Sequence, residues 1–199
     1  MPAPRGKLLI LSGPSGSGKS TVLRELLAVM PRLCMSVSAT TRGQRPSEND
    51  GVDYWFHSRE EFQRRAEAGG YLEWAEVHGE LYGTPAAPVE ALLAAGRWAL
   101  LEIDVQGFRQ VKAARPDCAS FFLRPPSLDA LEARLRRRGT EDAAKLQRRL
   151  ADAQAELAAA ADYDYQIVNE NLAQAVRTFR TLLCGIAAPA AGEVPCSMP

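Results

Sequence analysis

A glycine-rich octet near the start of the chain restricts its fold more than any other feature. Residues 13–20 read Gly-Pro-Ser-Gly-Ser-Gly-Lys-Ser and fit the pattern G-x-x-x-x-G-K-[ST]. An apolar run at 7–11 precedes the octet, and apolar residues recur at helical spacing over 20–30 after it. This order predicts a buried parallel strand, a tight loop and a helix. The start of the chain therefore has the expected context of a P-loop.

The predicted loop has the chemistry of an anion-binding site. Glycine lets the backbone turn tightly with its N–H groups pointing inward, and the following helix adds the positive end of its dipole. Lys19 would reach the β- and γ-phosphates of a nucleoside triphosphate, and the Ser20 hydroxyl would ligate Mg²⁺. The residues expected at the triphosphate are Gly13, Pro14, Ser15, Gly16, Ser17, Gly18, Lys19 and Ser20. The alternative, a glycine-rich turn without a ligand, is the weaker interpretation because strand and helix are both in place.

Composition and charge narrow the class of protein. A chain of 199 residues is long enough for one substantial core with a small inserted lobe. With 24 basic and 24 acidic residues, no overall field favours nucleic acid or a membrane as a partner. The four cysteines have no paired spacing, so neither a zinc site nor a disulfide framework is expected. Since the chain shows no signal-peptide core and no membrane-spanning run, we expect a soluble cytoplasmic protein.

Apolar strand candidates alternate with helix candidates along the chain. The predicted strands are Lys7–Ser12, Arg97–Ile103, Cys118–Leu123 and Tyr165–Val168. The predicted helices are Ser20–Met30, Val89–Ala95, Ser127–Arg138, Leu146–Ala161 and Leu172–Gly185. This alternation predicts an α/β fold in which helices flank a P-loop-type parallel sheet. The composition of residues 185–199 is typical of a flexible tail.

Two segments interrupt the alternation. Residues 36–88 are rich in Thr, Tyr, Trp and Gly and contain one helix marked by the capping box Ser58–Glu61. They predict a small mixed lobe inserted into a core formed by 6–35 and 89–184. Residues from about 134 to 149 are densely charged and have little to bury, which is typical of a mobile helical lid.

Several further motifs follow the octet in a definite order. They are S-V-S-A-T-T-R-x-x-R from Ser36, G-x-D-Y-x-F from Gly51, L-E-W-A-x-V-H-G from Leu72, Y-G-T from Tyr82, L-L-E-I-D-V-Q-G from Leu100, R-G-T-E from Arg138 and I-V-N-E from Ile167. Together with the octet, this series resembles the guanylate kinases over residues 6–184. That family transfers the γ-phosphoryl group of ATP to GMP in purine nucleotide metabolism. The resemblance therefore implies this activity, with ATP as co-substrate and Mg²⁺ as cofactor.

The resemblance also implies roles for the matching residues on the GMP side. The residues placed at the GMP phosphate are Ser38, Arg42, Arg45, Tyr54 and Tyr82, with Glu48 nearby. Glu73 and Thr84 would read the base, because a carboxylate can accept from guanine N1–H and N2–H₂ while a hydroxyl donates to O6. Asp104 stands in the position of a Walker-B acid. It would face Mg²⁺ through water or contact the bound nucleotide, with assistance from Glu102.

Arginines of the predicted lid supply the remaining charge. By resemblance Arg138 and Arg149 occupy catalytic positions together with Lys19, and Arg45 would touch the phosphates from the GMP side. The sequence departs from the family where fewer acidic residues follow Glu141, and we expect this to alter lid closure or the charge around the nucleotide. The catalytic arginines keep their spacing, so the expected activity is unaffected.

Other polar residues near these motifs divide into two groups. Asn169 and Glu170 match family positions near the base of ATP. The neighbouring arginines Arg136, Arg137 and Arg148 are interpreted as a solvated helix face instead.

Three alternatives compete with a kinase for GMP. Another small-molecule kinase on the same scaffold would not need Glu73 and Thr84 together. A guanylate-kinase-like module that binds protein ligands would lack a working P-loop, whereas Lys19 and Ser20 are intact. A nucleotide-hydrolysing P-loop switch would carry a guanine-base motif of GTPases, which the sequence lacks. ATP and GMP are thus the expected partners, and the oligomeric state stays open, a homo-oligomer included.

Overall fold

The part of the chain that the structure describes, residues 6–137 and 143–187 of a computed structural model, forms nine strands and seven α-helices. The strands are β1 (Leu8–Ser12), β2 (Leu33–Met35), β3 (Ala39–Thr40), β4 (Trp55–Phe56), β5 (Tyr71–Val77), β6 (Glu80–Pro85), β7 (Trp98–Glu102), β8 (Ala119–Arg124) and β9 (Tyr165–Val168). The helices are α1 (Lys19–Val29), α2 (Arg59–Glu67), α3 (Ala86–Ala94), α4 (Val105–Ala114), α5 (Leu128–Arg137), α6 (Ala143–Ala158) and α7 (Leu172–Ala187). None of these seven helices is both long enough and apolar enough to cross a membrane.

Five of the strands form one sheet with the order β2-β7-β1-β8-β9. β1 and β2 both run parallel to β7, with Leu8 opposite Ala99 and Leu33 opposite Trp98. Every residue of β1 is buried, as expected for a strand covered on both faces. The predicted α/β fold and its four strands are confirmed, whereas the three-residue β2 is too short to show a periodicity.

Helix α4 is an element that the sequence patterns do not predict. Asp104, which directly follows a predicted strand, is the N-cap residue of α4, and its Oδ1 accepts a hydrogen bond from the Gly107 N–H at 2.8 Å. Phe108 and Val111 bury the apolar face of this ten-residue helix. Because a glycine lies in its first turn and the apolar pattern is short, α4 gives a weak signal in the sequence.

A second sheet contains four strands in the order β4-β3-β6-β5. β5 and β6 form a hairpin whose turn residues, His78 and Gly79, both have a positive φ (53° and 86°), as a two-residue type I′ turn requires. Between β4 and β5 along the chain, α2 begins at the predicted capping box. There the Ser58 hydroxyl accepts a hydrogen bond from the Glu61 N–H at 3.1 Å, which confirms the cap.

Contacts within the chain define two compact units. Over the described residues, unit 1 comprises 6–12 and 31–121, and unit 2 comprises 13–30, 122–137 and 143–187, so that the boundary falls inside β8. In unit 2, α5 and α6 share an apolar cluster of Leu131, Leu135, Leu146 and Ala153. The expectation that the charged segment has little to bury is therefore wrong for Leu135 and Leu146, which are both buried.

Candidate active site

The glycine loop of unit 2 leads directly into α1. Gly18 is the N-cap residue of α1 with a φ of 98°, and it forms no side-chain cap, nor does the first turn contain an acidic residue. A helix N-terminus with neither a side-chain cap nor an acidic residue in its first turn suits an anion, which the helix dipole also favours. Lys19 folds back over the loop, where its Nζ donates to the Gly13 carbonyl at 2.5 Å. Ser20, in the same first turn, is exposed.

Asn169, predicted near the base of ATP, braces the loop. Its buried Nδ2 donates to the Ser17 carbonyl at 2.7 Å. A Cβ atom at Gly18 would lie only 2.3 Å from this Nδ2, so the positive φ and the close approach both require glycine there. Arg134 completes the brace by donating to the carbonyls of Asn169 at 2.7 Å and Ser17 at 3.3 Å. The sequence gives no signal that separates Arg134 from the other arginines of α5.

A cleft of about 470 Å³ opens beside this brace in unit 2. It is lined by Gly16, Gly18, Thr21, Arg134, Arg137, Asn169, Glu170 and Leu172. Arg137 is exposed, as predicted, and also borders the cleft. Arg136 instead forms an ion pair with Glu132 on the same helix at 2.6 Å. The cleft thus brings two arginines together with residues from the N-terminal end of α1, both of which suit an anionic ligand.

The predicted lid arginines differ in what the structure describes. Arg149 of α6 donates from Nη2 to the Ser15 hydroxyl at 2.6 Å, which brings this guanidinium to the glycine loop. Arg138 lies outside the described residues.

In unit 1, Glu73 and Thr84 face each other across the β5–β6 hairpin. The strand register pairs the two residues, and the Thr84 hydroxyl donates to Glu73 Oε1 at 2.6 Å. Glu73 is 6% exposed and Thr84 is fully buried. Burial raises the pKa of Glu73 to about 7; the Asp104 charge also raises it, while the bond from Thr84 lowers it. The site therefore holds a carboxyl group with few solvent contacts and a fixed hydroxyl donor.

The first turn of α4 lies beside this pair. A Cβ atom at Gly107 would meet Glu73 Oε2 at 2.4 Å, and Asp104 caps the same turn. Glu102, at the end of β7, is half-buried. The pKa of Tyr54 is raised mainly by burial, then by the neighbouring Tyr82, and to a smaller extent by the charge of Glu102. The predicted residues Glu73, Thr84 and Asp104 are thus brought together in unit 1.

The remaining predicted GMP-side residues meet around Arg42. Its Nη2 lies 2.9 Å from Glu48 Oε1, and its guanidinium stacks on the Tyr54 ring at 5.4 Å. Tyr54 contacts Tyr82 edge-on with ring centroids 6.1 Å apart. Glu48 also accepts from the Arg45 backbone N–H at 2.9 Å, and the bond from Arg42 is the main reason that its pKa is lowered. Glu48 therefore organises the loop.

Arg45 and Ser38 are less constrained members of this group. The Arg45 side chain is 69% exposed, with its Nη1 at 3.9 Å from Glu48. Ser38 is half-buried, and its carbonyl accepts from the Trp55 N–H at 2.9 Å, next to Tyr54. The loop thus combines an exposed guanidinium, Arg45, with a largely buried one, Arg42, that is held by Glu48, and two neighbouring arginines suit a phosphate group.

Known proteins are similar to this sequence over most of its length. The sequence pattern of the guanylate kinase family matches residues 5–184. A guanylate kinase from Rhodococcus jostii is 51% identical over 91% of this chain and 88% of its own length. One from Rubrobacter xylanophilus is 50% identical over 86% and 90% of the two chains. The crystal structure of guanylate kinase from Anaplasma phagocytophilum superposes with a TM-score of 0.75 at 35% identity, covering 92% of this chain and 87% of the other.

Proposed function

Because the chain belongs to the guanylate kinase family and transfers the γ-phosphoryl group of ATP to GMP, we propose that Glu73 and Thr84 select the guanine base. The observation that carries this proposal is the buried carboxyl–hydroxyl pair held in register across β5 and β6. A carboxylate with so little solvent exposure would be stabilised by a partner that donates hydrogen bonds to it.

Guanine supplies that partner. Its N1–H and N2–H₂ donate to a carboxylate, and its O6 accepts from a hydroxyl. Because a hydroxyl has a single proton, Thr84 would turn from Glu73 Oε1 to guanine O6 on binding. The free Glu73 carboxyl favours its protonated form more than an ordinary glutamate because burial raises its pKa to about 7. Two donors from guanine would stabilise the ionised form, whereas adenine offers no amino group at C2 and an acceptor at N1. A site that loses its hydrogen bonds in this way rejects the wrong ligand strongly.

Arg42, Arg45, Tyr54, Tyr82 and Ser38 would hold the phosphate of GMP. Arg42 is already oriented by its ion pair with Glu48 and by the Tyr54 ring, so little side-chain freedom remains to be lost on binding. Glu48 then acts on the phosphate indirectly, by fixing Arg42 and the backbone of Arg45.

The glycine loop, residues 13–20, would hold the phosphates of ATP, and the cleft beside Asn169 and Glu170 would receive its base. Mg²⁺ prefers a few hard oxygen donors together with phosphates, rather than a cage of protein ligands. The Ser20 hydroxyl fits that preference, and the described residues contain no cluster of three or more metal-ligating side chains. Ser20 would bind Mg²⁺ directly. The water-mediated contact of Asp104 with the ion, assisted by Glu102, stays a prediction from the resemblance. The ion supplies charge neutralisation at the phosphates.

Four cationic side chains would stabilise the charge that develops during transfer. Lys19 and Arg149 lie at the glycine loop, Arg45 lies in the loop that we propose holds GMP, and Arg138 follows α5 in the sequence. Spread negative charge on the transferred group is stabilised by such fixed cations. The phosphate of GMP is itself the nucleophile, so the proposal needs no general base.

Purine nucleotide recycling in the cytoplasm is the setting that we propose for this reaction. Its product, GDP, re-enters the nucleotide pool. None of the three cysteines that the structure describes, Cys34, Cys118 and Cys184, forms a disulfide, which fits a reducing compartment.

Glu73→Gln tests the proposed base reader. The amide keeps the shape of the side chain but offers N–H groups where guanine also donates, so kcat/KM for GMP should fall roughly 10- to 100-fold. The ratio of kcat/KM for GMP to kcat/KM for AMP should fall, while the affinity for ATP measured by titration should stay unchanged. Glu76→Gln is the matched control, because Glu76 lies exposed on the same strand and pairs with Arg59. Unaltered GMP/AMP discrimination in Glu73→Gln would exclude Glu73 as the reader.

A further inference from the structure

We infer that Gly107 is a positioning residue for the Glu73 carboxyl group and thereby a determinant of guanine specificity. The inference rests on the proposed role of Glu73 as base reader. Gly107 lies in the first turn of α4, 34 positions along the chain from Glu73, and would contact neither substrate in this role.

The packing leaves no room for a side chain at this position. A Cβ atom on Gly107 would lie 2.4 Å from Glu73 Oε2, 2.9 Å from Cδ and 3.3 Å from Cγ. All three nearest atoms thus belong to one side chain, and the two nearest are atoms of its carboxyl group. On the opposite side, the Thr84 hydroxyl holds Oε1 at 2.6 Å. The carboxyl group is therefore confined between Thr84 and the first turn of α4.

Neither backbone can move away easily. The Gln110 side chain accepts from the Trp74 N–H at 3.2 Å and donates to the Trp74 carbonyl at 2.9 Å, which ties α4 to β5 one residue after Glu73. The Asp104 cap and the buried Phe108 fix the same helix. The movable element is the Glu73 side chain itself, so an added methyl group would displace the atoms that read guanine.

The local backbone does not by itself require glycine here. Gly107 lies within a right-handed helix and does not have a positive φ. Alanine is a better helix former than glycine, so a substitution should not weaken α4 on its own account. The close approach of Glu73 is the remaining reason for glycine.

Gly107→Ala in the full chain tests the inference. We expect kcat/KM for GMP to fall roughly 10- to 100-fold, mainly through KM, because overpacking displaces a group that binds the ground state. The ratio of GMP to AMP activity should fall with it, and ATP affinity should be unchanged. Gly185→Ala is the matched control, since Gly185 also lies in a helix but has open space where the methyl group would go.

A double variant separates positioning from general damage. Glu73→Asp shortens the side chain by one methylene and withdraws the carboxyl group from Gly107. The double variant with Glu73→Asp and Gly107→Ala should lose less activity than the sum of the losses in the two single variants. If Gly107→Ala alone lowers the melting temperature, the double variant should restore it. Additive losses, or an unchanged GMP/AMP ratio in Gly107→Ala, would overturn the inference. If Glu73→Gln keeps the original GMP/AMP activity ratio, the proposed role of Glu73 as base reader fails, and the inference about Gly107 fails with it. If Glu73→Gln lowers this ratio but Gly107→Ala does not, only the inference about Gly107 fails.

Discussion

The buried carboxyl group of Glu73 should reduce the stability of the native protein, and Glu73→Gln should reveal by how much. Burial raises the pKa of Glu73 from an ordinary 4.5 to about 7. Below pH 4.5 the group is protonated in both the folded and the unfolded chain, so it has no effect. Between pH 4.5 and 7 the unfolded chain loses a proton that the folded chain keeps, and native stability falls as the pH rises.

The size of this effect follows from the change in pKa. At about 1.4 kcal/mol per unit, the full penalty above pH 7 is about 3 kcal/mol, and at pH 5 it is below about 1 kcal/mol. Since Glu73 is 6% exposed, solvent screening reduces the penalty little. A glutamine at this position keeps the shape and can accept from Thr84, but it carries no charge. The free energy of unfolding of Glu73→Gln should therefore exceed that of the unsubstituted protein by up to about 3 kcal/mol at pH 8.

Urea unfolding at pH 5 and pH 8 measures this difference. The stabilisation by Glu73→Gln should be small at pH 5 and large at pH 8. The control Glu76→Gln should change stability by less than about 1 kcal/mol at either pH, because its ion pair with Arg59 is exposed. An equal change at both pH values, or destabilisation that grows toward pH 8, would show that the carboxyl group is not penalised by burial.

Three further substitutions test other parts of the site. Lys19→Ala should abolish phosphoryl transfer while the melting temperature stays within a few degrees; normal turnover would exclude the assigned role of the glycine loop. Asn169→Ala leaves the Ser17 carbonyl without this donor and should weaken ATP binding roughly tenfold by calorimetry. The control Asn171→Ala removes only the cap of α7 and should leave ATP affinity unchanged, so equal losses in both variants would count against the brace. Glu48→Gln should raise KM roughly tenfold for GMP and AMP alike, because it loosens Arg42 at the shared phosphate; a change for one nucleotide alone would contradict this role.

Local patterns in the sequence predict the sheet core well. The apolar runs that become β1 and β7 are buried in full or nearly so, and the glycine octet precedes α1 as expected. These elements depend on neighbouring residues, so a short window of sequence contains the necessary information. The β5–β6 hairpin is harder to predict because His78, a non-glycine residue, takes a positive φ in its turn.

Contacts between distant residues account for what the sequence leaves unpredicted. The approach of Gly107 to Glu73 depends on how α4 packs on β5, and a glycine in a helix signals no partner. Likewise, Asn169 braces a loop that lies 152 positions away in sequence. The resemblance to guanylate kinases predicts roles for individual residues, but their hydrogen-bond partners depend on the packing.

The pairing of Glu73 with Thr84 predicts a kinase that accepts guanine and rejects other bases. ADP release from Mg·ATP with GMP, AMP, CMP or UMP offered separately tests this most directly. We expect ADP and GDP to appear together with GMP, and little ADP with the other three acceptors. Equal ADP release with all four acceptors would contradict selection of guanine by the Glu73–Thr84 pair.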